Sequence, residues 1–160
     1  MNPMESTEAA PQAAAASGQY ATFYVGDLFF GVDVLQVQEV LRYQRMTRVP
    51  LAPEVVRGLI NLRGQIVTAI DMRRRLGMEA RAEDADPMNM VVRTGDGAVS
   101  LLVDGIGDVI EVTAETFEKV PDNVEPGIRG MLEGVHKLDG RLLLVLDIEK
   151  TVNLAAGGSG

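Results

Sequence analysis

Arg57-Gly-Leu-Ile-Asn-Leu-Arg-Gly-Gln-Ile-Val-Thr-Ala-Ile-Asp-Met-Arg-Arg-Arg-Leu76 is the stretch whose reading decides the fold. Leu59 to Leu62 is an apolar strand, Arg63-Gly64 a two-residue turn, Gln65 to Ile70 a second strand, and Asp71 opens a short basic helix. Gly64 supplies the positive φ that a two-residue hairpin turn favours. Asp71 brings the short carboxylate that accepts the first free amides of a helix. One hairpin says little alone, but the chain repeats it.

Downstream, Arg129-Gly130 leads into an apolar strand, the Asp139-Gly140 turn, a second strand from Arg141 to Leu146, and Asp147 before a last short helix. Upstream, Leu28 to Asp33 leading to Glu39-Val40 matches Val99 to Asp104 leading to Glu111-Val112. Pairing Asp33 with Asp104, Arg57 with Arg129 and Asp71 with Asp147 gives offsets of 71, 72 and 76 residues. This implies an internal duplication, with a four-residue insertion assigned to the second hairpin. Gly58, Gly64, Asp71, Asp104, Gly130, Gly140 and Asp147 therefore read as turns and caps. Each half holds about five short strands and little helix, and closing them into small barrels removes exposed edges. The expected fold is mainly β: two five-stranded barrels from an internal duplication, sharing a Val/Leu/Ile core, with a groove between them and a few short helices. The first barrel is placed at about 19–80 and the second at about 88–150, with exchange of chain between them left open. Residues 79–87 read as an acidic linker. Residues 1–18 and 155–160 lack apolar periodicity and are expected to be a disordered and a flexible tail.

Composition excludes several functions. The chain has 160 residues and no cysteine, so it has no disulfide, thiol nucleophile or thiolate metal site. A formal charge of −8 argues against non-specific nucleic-acid binding. The charge is polarised: Tyr20–Met78 carries eight arginines against five acids, and 79–160 carries seven basic against sixteen acidic residues. Such asymmetry can orient association with partners, although solvated surface is the plainer reading. The start lacks a basic region followed by an apolar run, and no run reaches a membrane-spanning length. A cytoplasmic protein without membrane insertion is expected. His136, the only histidine, alternates with apolar residues and reads as structural or superficial. Ser100 sits in an apolar strand without a nucleophile elbow. Asp104, Asp108 and Glu111 form the densest acidic cluster, but turn positions explain them. Arg73-Arg74-Arg75 reads as the solvated face of a helix. No catalytic residue, cofactor or metal is expected. A small-ligand-binding barrel built on the acidic cluster is the alternative from another class.

The phrase Arg57-Gly58 through Asp71-Met72, with Val37-Gln38-Glu39-Val40 upstream and Val103-Asp104-Gly105-Ile-Gly-Asp108-Val109 downstream, resembles the hallmark of the CheW family of bacterial chemotaxis adaptors. The resemblance covers Gln19 to Leu154. It implies SH3-like barrels, no catalysis, and a chain that is monomeric alone. It also implies two partners: the cytoplasmic tips of methyl-accepting chemoreceptors and the regulatory domain of the histidine kinase CheA, which shares the fold. Localisation would be cytoplasmic, at receptor arrays. By position, Val34, Val37, Glu39, Val40 and Arg63 would line the receptor groove, with Met88 and Asn89 adjoining it. Tyr43, Met46, Arg48 and Val49 would face the kinase, with Met46 as an exposed apolar anchor. Glu118, Pro121 and Asn123 would make a second, ring-forming contact, although that loop here is acidic and polar. An adaptor of another chemosensory system, such as twitching motility, carries the same signature.

Overall fold

The computed structural model describes residues 18–82 and 84–153. The expected tails at 1–18 and 155–160 therefore lie outside the described residues, apart from Gly18, which begins the first strand. The strands are β1 (Gly18–Val25), β2 (Leu28–Asp33), β3 (Val37–Leu41), β4 (Val56–Leu62), β5 (Gln65–Asp71), β6 (Met88–Thr94), β7 (Gly97–Val103), β8 (Gly105–Val112), β9 (Phe117–Glu118), β10 (Leu132–Leu138) and β11 (Arg141–Leu146). Short helices are α1 (Met72–Arg75), α2 (Pro126–Arg129) and α3 (Ile148–Val152). Asp71 caps α1 by accepting the Arg73 N–H, and Asp147 caps α3 by accepting the Lys150 N–H, as the sequence implied.

Two sheets result, one ordered β8-β1-β2-β11-β10-β9 and the other β3-β6-β7-β5-β4. Neither is a contiguous half of the chain. The first hairpin of each half, β1-β2 or β6-β7, sits inside the sheet built by the other half. It is joined there by an antiparallel partner (β8 or β3) and a parallel one (β11 or β5). Of the partition at about 19–80 and 88–150 and the exchange left open beside it, the strand order is the exchange: the two halves trade hairpins.

The exchange explains why those strands are apolar on both faces. A strand covered on both sides reads as a near-continuous apolar run. Phe23, Val25, Phe30 and Val32 point into the shared core with Met90, Val92, Leu101 and Val103. Their alternating neighbours point the other way. Tyr20 and Phe29 join Leu143 and Val145 inside the first sheet, while Val91 and Leu102 join Ile60, Leu62, Val67 and Ala69 inside the second.

The register also relocates the insertion. Val56↔Ile70 and Leu62↔Gln65 correspond to Leu132↔Leu146 and Leu138↔Arg141, so the two hairpins match without a gap. The Thr47↔Leu59 bridge corresponds to Glu118↔Val135. The extra residues therefore lie between β9 and β10, in the loop and α2, and not in the second hairpin. Gly58 then matches Gly134, not Gly130: each follows a register shift in its strand. Neither makes a turn. A Cβ at Gly58 would lie 2.7 Å from the Thr47 carbonyl oxygen, and one at Gly134 would lie 2.5 Å from Phe117 Cζ. Both are glycine because another segment crosses there. Gly130 instead ends α2 with a helical backbone.

Candidate protein-interaction site

The Arg63-Gly64 turn has φ of 54 and 91, so both central residues are left-handed, the geometry that matches the twist of a two-residue hairpin. The Gly64 N–H donates to Asn61 Oδ1 at 2.9 Å. Arginine is an expensive choice at the first of these positions, where asparagine, aspartate or glycine is cheaper. Its side chain crosses from the β4-β5 end of the sheet to β3 at the other end and pairs with Glu39. One residue from Glu39 and two from Arg63, Gln38 Nε2 donates to Gln65 Oε1 at 3.1 Å. These two contacts bring the ends of the sheet together. The Arg63 side chain stays 71% exposed while that of Glu39 is 21% exposed, so the guanidinium remains open to a partner.

Beside this pair the chain makes a 3-10 turn at Val34–Gln36, capped by Asp33 through the Leu35 N–H at 2.9 Å. Arg93 Nη1 holds the turn by donating to the Leu35 and Val37 carbonyls at 3.2 and 3.1 Å. Val34 and Val37 are half-buried and Val40 is exposed. Val34, Val37, Glu39, Val40 and Arg63 thus gather around β3. Leu35 and Ile66 are 80% and 59% exposed on the same turn and hairpin. Sequence reading singled out neither: Ile66 looks like a core residue in an apolar strand, and Leu35 lies in a short apolar turn.

Met88 and Asn89 behave differently. Met88 is half-buried against the shared core. Asn89 is buried: its Nδ2 donates to the Arg42 carbonyl at 3.1 Å and its Oδ1 accepts from Ser100 Oγ at 2.8 Å. Asn89 is corrected from a contact residue to a buried clamp on the end of β3. Ser100 is buried and its hydroxyl donates within that clamp.

Tyr43, Met46, Arg48 and Val49 line a concave surface of about 820 Å³ together with the turn Pro50–Pro53, Glu54, Val56, Arg57 and Arg74. Tyr43 and Val49 are exposed. Met46 is half-buried and packs against the cluster inside the second sheet, so it is not a free apolar anchor. Glu118 and Asn123 are exposed and Pro121 is half-buried. The Pro121 carbonyl accepts from Arg129 Nη2 at 2.9 Å. Because Thr47↔Leu59 and Glu118↔Val135 correspond, 47–49 and 118–120, where the two segments overlap, occupy matching places on the two barrels. Their charges differ: Arg45 and Arg48 on one, Glu118, Lys119 and Asp122 on the other.

The acidic cluster dissolves on inspection. Asp104 caps no local turn. It accepts from Gly26 N and is clasped by Arg73 Nη2 and Arg81 Nε, both at 2.8 Å. Burial alone would raise its pKa, but the Arg73 hydrogen bonds, the Gly26 amide and Arg81 bring it down to about 2. Arg81, from the segment read as a featureless linker, also reaches the buried Asp71 at 3.5 Å. Asp108 and Glu111 are exposed on β8. His136 is buried between Tyr20 and Phe117, with Nδ1 2.7 Å from Thr116 Oγ1. Among the described residues no group of three His, Cys, Asp or Glu is placed to hold a metal ion, and no helix is long and apolar enough to cross a membrane.

The sequence profile of the CheW-like domain matches residues 19–156. The chain belongs to the CheW-like family. It is 33% identical to the chemotaxis protein CheW of Klebsiella aerogenes over 135 residues, covering 84% of this chain and 81% of that protein. It is 30% identical to CheW of Rhizobium meliloti over 143 residues, covering 89% and 92%. The crystal structure of the scaffolding protein TtCheW from Thermoanaerobacter tengcongensis superposes with a TM-score of 0.74 at 27% identity, covering 82% of this chain and 89% of that one. Within this duplicated fold, whose two sheets hold six and five strands where five each were expected, the asymmetry between the halves is informative. Arg63 corresponds by register to Asp139, so the ion pair belongs to the first barrel's hairpin, not to the shared architecture.

Proposed function

We propose that this chain is a non-catalytic chemotaxis adaptor. It binds the cytoplasmic tip of chemoreceptors at β3 and the Arg63 turn, and the regulatory domain of the histidine kinase CheA at the Tyr43–Val49 surface. The observation that carries this reading is Arg63: a residue held in a costly left-handed conformation, exposed, and paired across the sheet to Glu39. Strain of this kind persists where function needs it. A helical hairpin laid along β3 would find Val34, Val37 and Val40 as apolar contacts, with the Glu39–Arg63 pair to fix its register. The interlocked hairpins make the frame rigid, so two partners held on it keep a fixed relation.

Titrating the isotope-labelled chain with the kinase's regulatory domain tests the kinase half. Shift changes should centre on Tyr43–Val49, and no change at high micromolar concentration would sink it. For the receptor half, Arg63→Asn should cut receptor-dependent kinase activation about tenfold or more, the loss of one anchor of roughly 1.4 kcal/mol. The exposed pair itself contributes at most about 1 kcal/mol to stability, and asparagine suits the left-handed position. The melting temperature should therefore hold or rise. Full activation by the variant would contradict the assignment.

A further inference from the structure

The turn Val49-Pro50-Leu51-Ala52 sets an apolar side chain where both backbone and solvent disfavour it. The Ala52 N–H donates to the Val49 carbonyl at 3.3 Å, Pro50 occupies the second place, and Leu51 has φ of 64. A proline-led turn whose third residue has positive φ is of type II, and that place suits glycine or asparagine. Leu51 carries a Cβ there, and the residue is fully exposed. An exposed leucine alone is ordinary, but an exposed leucine that also costs backbone energy is not.

The platform beneath it is fixed. Thr47 and Leu59 exchange hydrogen bonds at 2.9 and 2.8 Å, the Val56 N–H donates to the Pro53 carbonyl at 2.9 Å, and the Asp71 N–H donates to the Val55 carbonyl at 2.8 Å. Leu51 is thus a pre-positioned knob, which lowers the ordering cost of binding. It borders the concave surface that holds the exposed Tyr43 and Val49. The charged rim of that surface is Arg48, Arg57 and Arg74 against Glu54 alone. A partner complementary to it presents an apolar socket bordered by carboxylates.

We propose that Leu51 is the selectivity-determining anchor of this surface: its side chain enters an acid-rimmed apolar socket on the kinase's regulatory domain, and Arg48 and Arg74 pair with the rim. This rests on the reading that the surface faces the kinase. Calorimetric titration of that domain with the wild-type chain, Leu51→Asn and Leu51→Gly tests it, with a melting curve for each protein. Both substitutions suit the left-handed backbone, so both variants should melt a few degrees higher than wild type. Both should bind about tenfold or more weakly, and the wild-type affinity should fall with added salt. Wild-type binding with both variants within threefold of it overturns the role of Leu51 and leaves the adaptor reading standing. No binding by the wild-type chain overturns both.

Discussion

Cutting the chain between residues 82 and 88 should give two fragments that are each unfolded alone and fold when mixed. The 1–82 fragment keeps β3, β4 and β5, but the two strands between β3 and β5 belong to the other fragment. Its β1-β2 hairpin loses both flanking partners, β8 and β11, and an isolated hairpin is marginal in water. Phe23, Val25, Phe30 and Val32 would face solvent in place of Met90, Val92, Leu101 and Val103. The 88–160 fragment fails in the mirror-image way. The four core side chains that each fragment would expose, at roughly 1.5–3 kcal/mol each, come to about 6–12 kcal/mol, which matches the whole stability of an ordinary domain. Circular dichroism should show disorder in each fragment, and β structure with a cooperative melt in an equimolar mixture. A 1–82 fragment that melts cooperatively by itself would mean that each half is its own barrel.

That exchange was not legible in the sequence, and the reason is physical. The two halves carry the same strand pattern, so a hairpin fits the other half's sheet as well as its own. Alternation and turn chemistry specify strands and registers, not which of two equivalent sheets receives them. The sequence did hold a trace: Phe29–Val32 and Met90–Val92 are apolar on consecutive positions, as strands covered on both faces must be. The hairpin Arg57–Leu76, its capped helix and the singular Arg63 were all readable, because each depends on local rules. Gly58 and Gly134 were not matched, because their glycine is demanded by a crossing segment remote in sequence. The backbone of Leu51 was not readable: Pro50 implied a turn, but proline leads both common turn types, and a leucine after it points to the one whose φ stays negative. Asn89 and Arg81 were misplaced for one shared reason. A polar residue in a strand, or a lone arginine among acids, looks exposed until its buried partners are known.

Asp104 gives the second large effect, and its sign follows from the direction of its pKa. The carboxyl titrates near 3.8 in an unfolded chain and at about 2 here. Above roughly pH 5 it is ionised in both states, and the clasp by Arg73, Arg81 and the Gly26 amide contributes fully. As pH falls from there toward 2 the unfolded chain takes up a proton that the folded one resists, so stability is lost, by about 2 kcal/mol. The group's side chain is 21% exposed, so screening trims this figure only modestly. Asp104→Asn keeps the shape and an acceptor for Gly26, but leaves the mostly buried Arg81 and Arg73 with less counter-charge. The variant should lose about 2 kcal/mol at pH 7, or roughly 4–8 °C in melting temperature for a chain of this size. It should also flatten the acid limb of the stability curve, so that variant and wild type converge near pH 2. Equal stability at pH 7, or a constant gap down to pH 2, would show that Asp104 does not hold the connecting segment to the joined hairpins. Convergence would tie the acid sensitivity of the fold to the one place where Arg73 of α1, Gly26 of the β1-β2 turn and Arg81 of the connection meet on a single carboxylate.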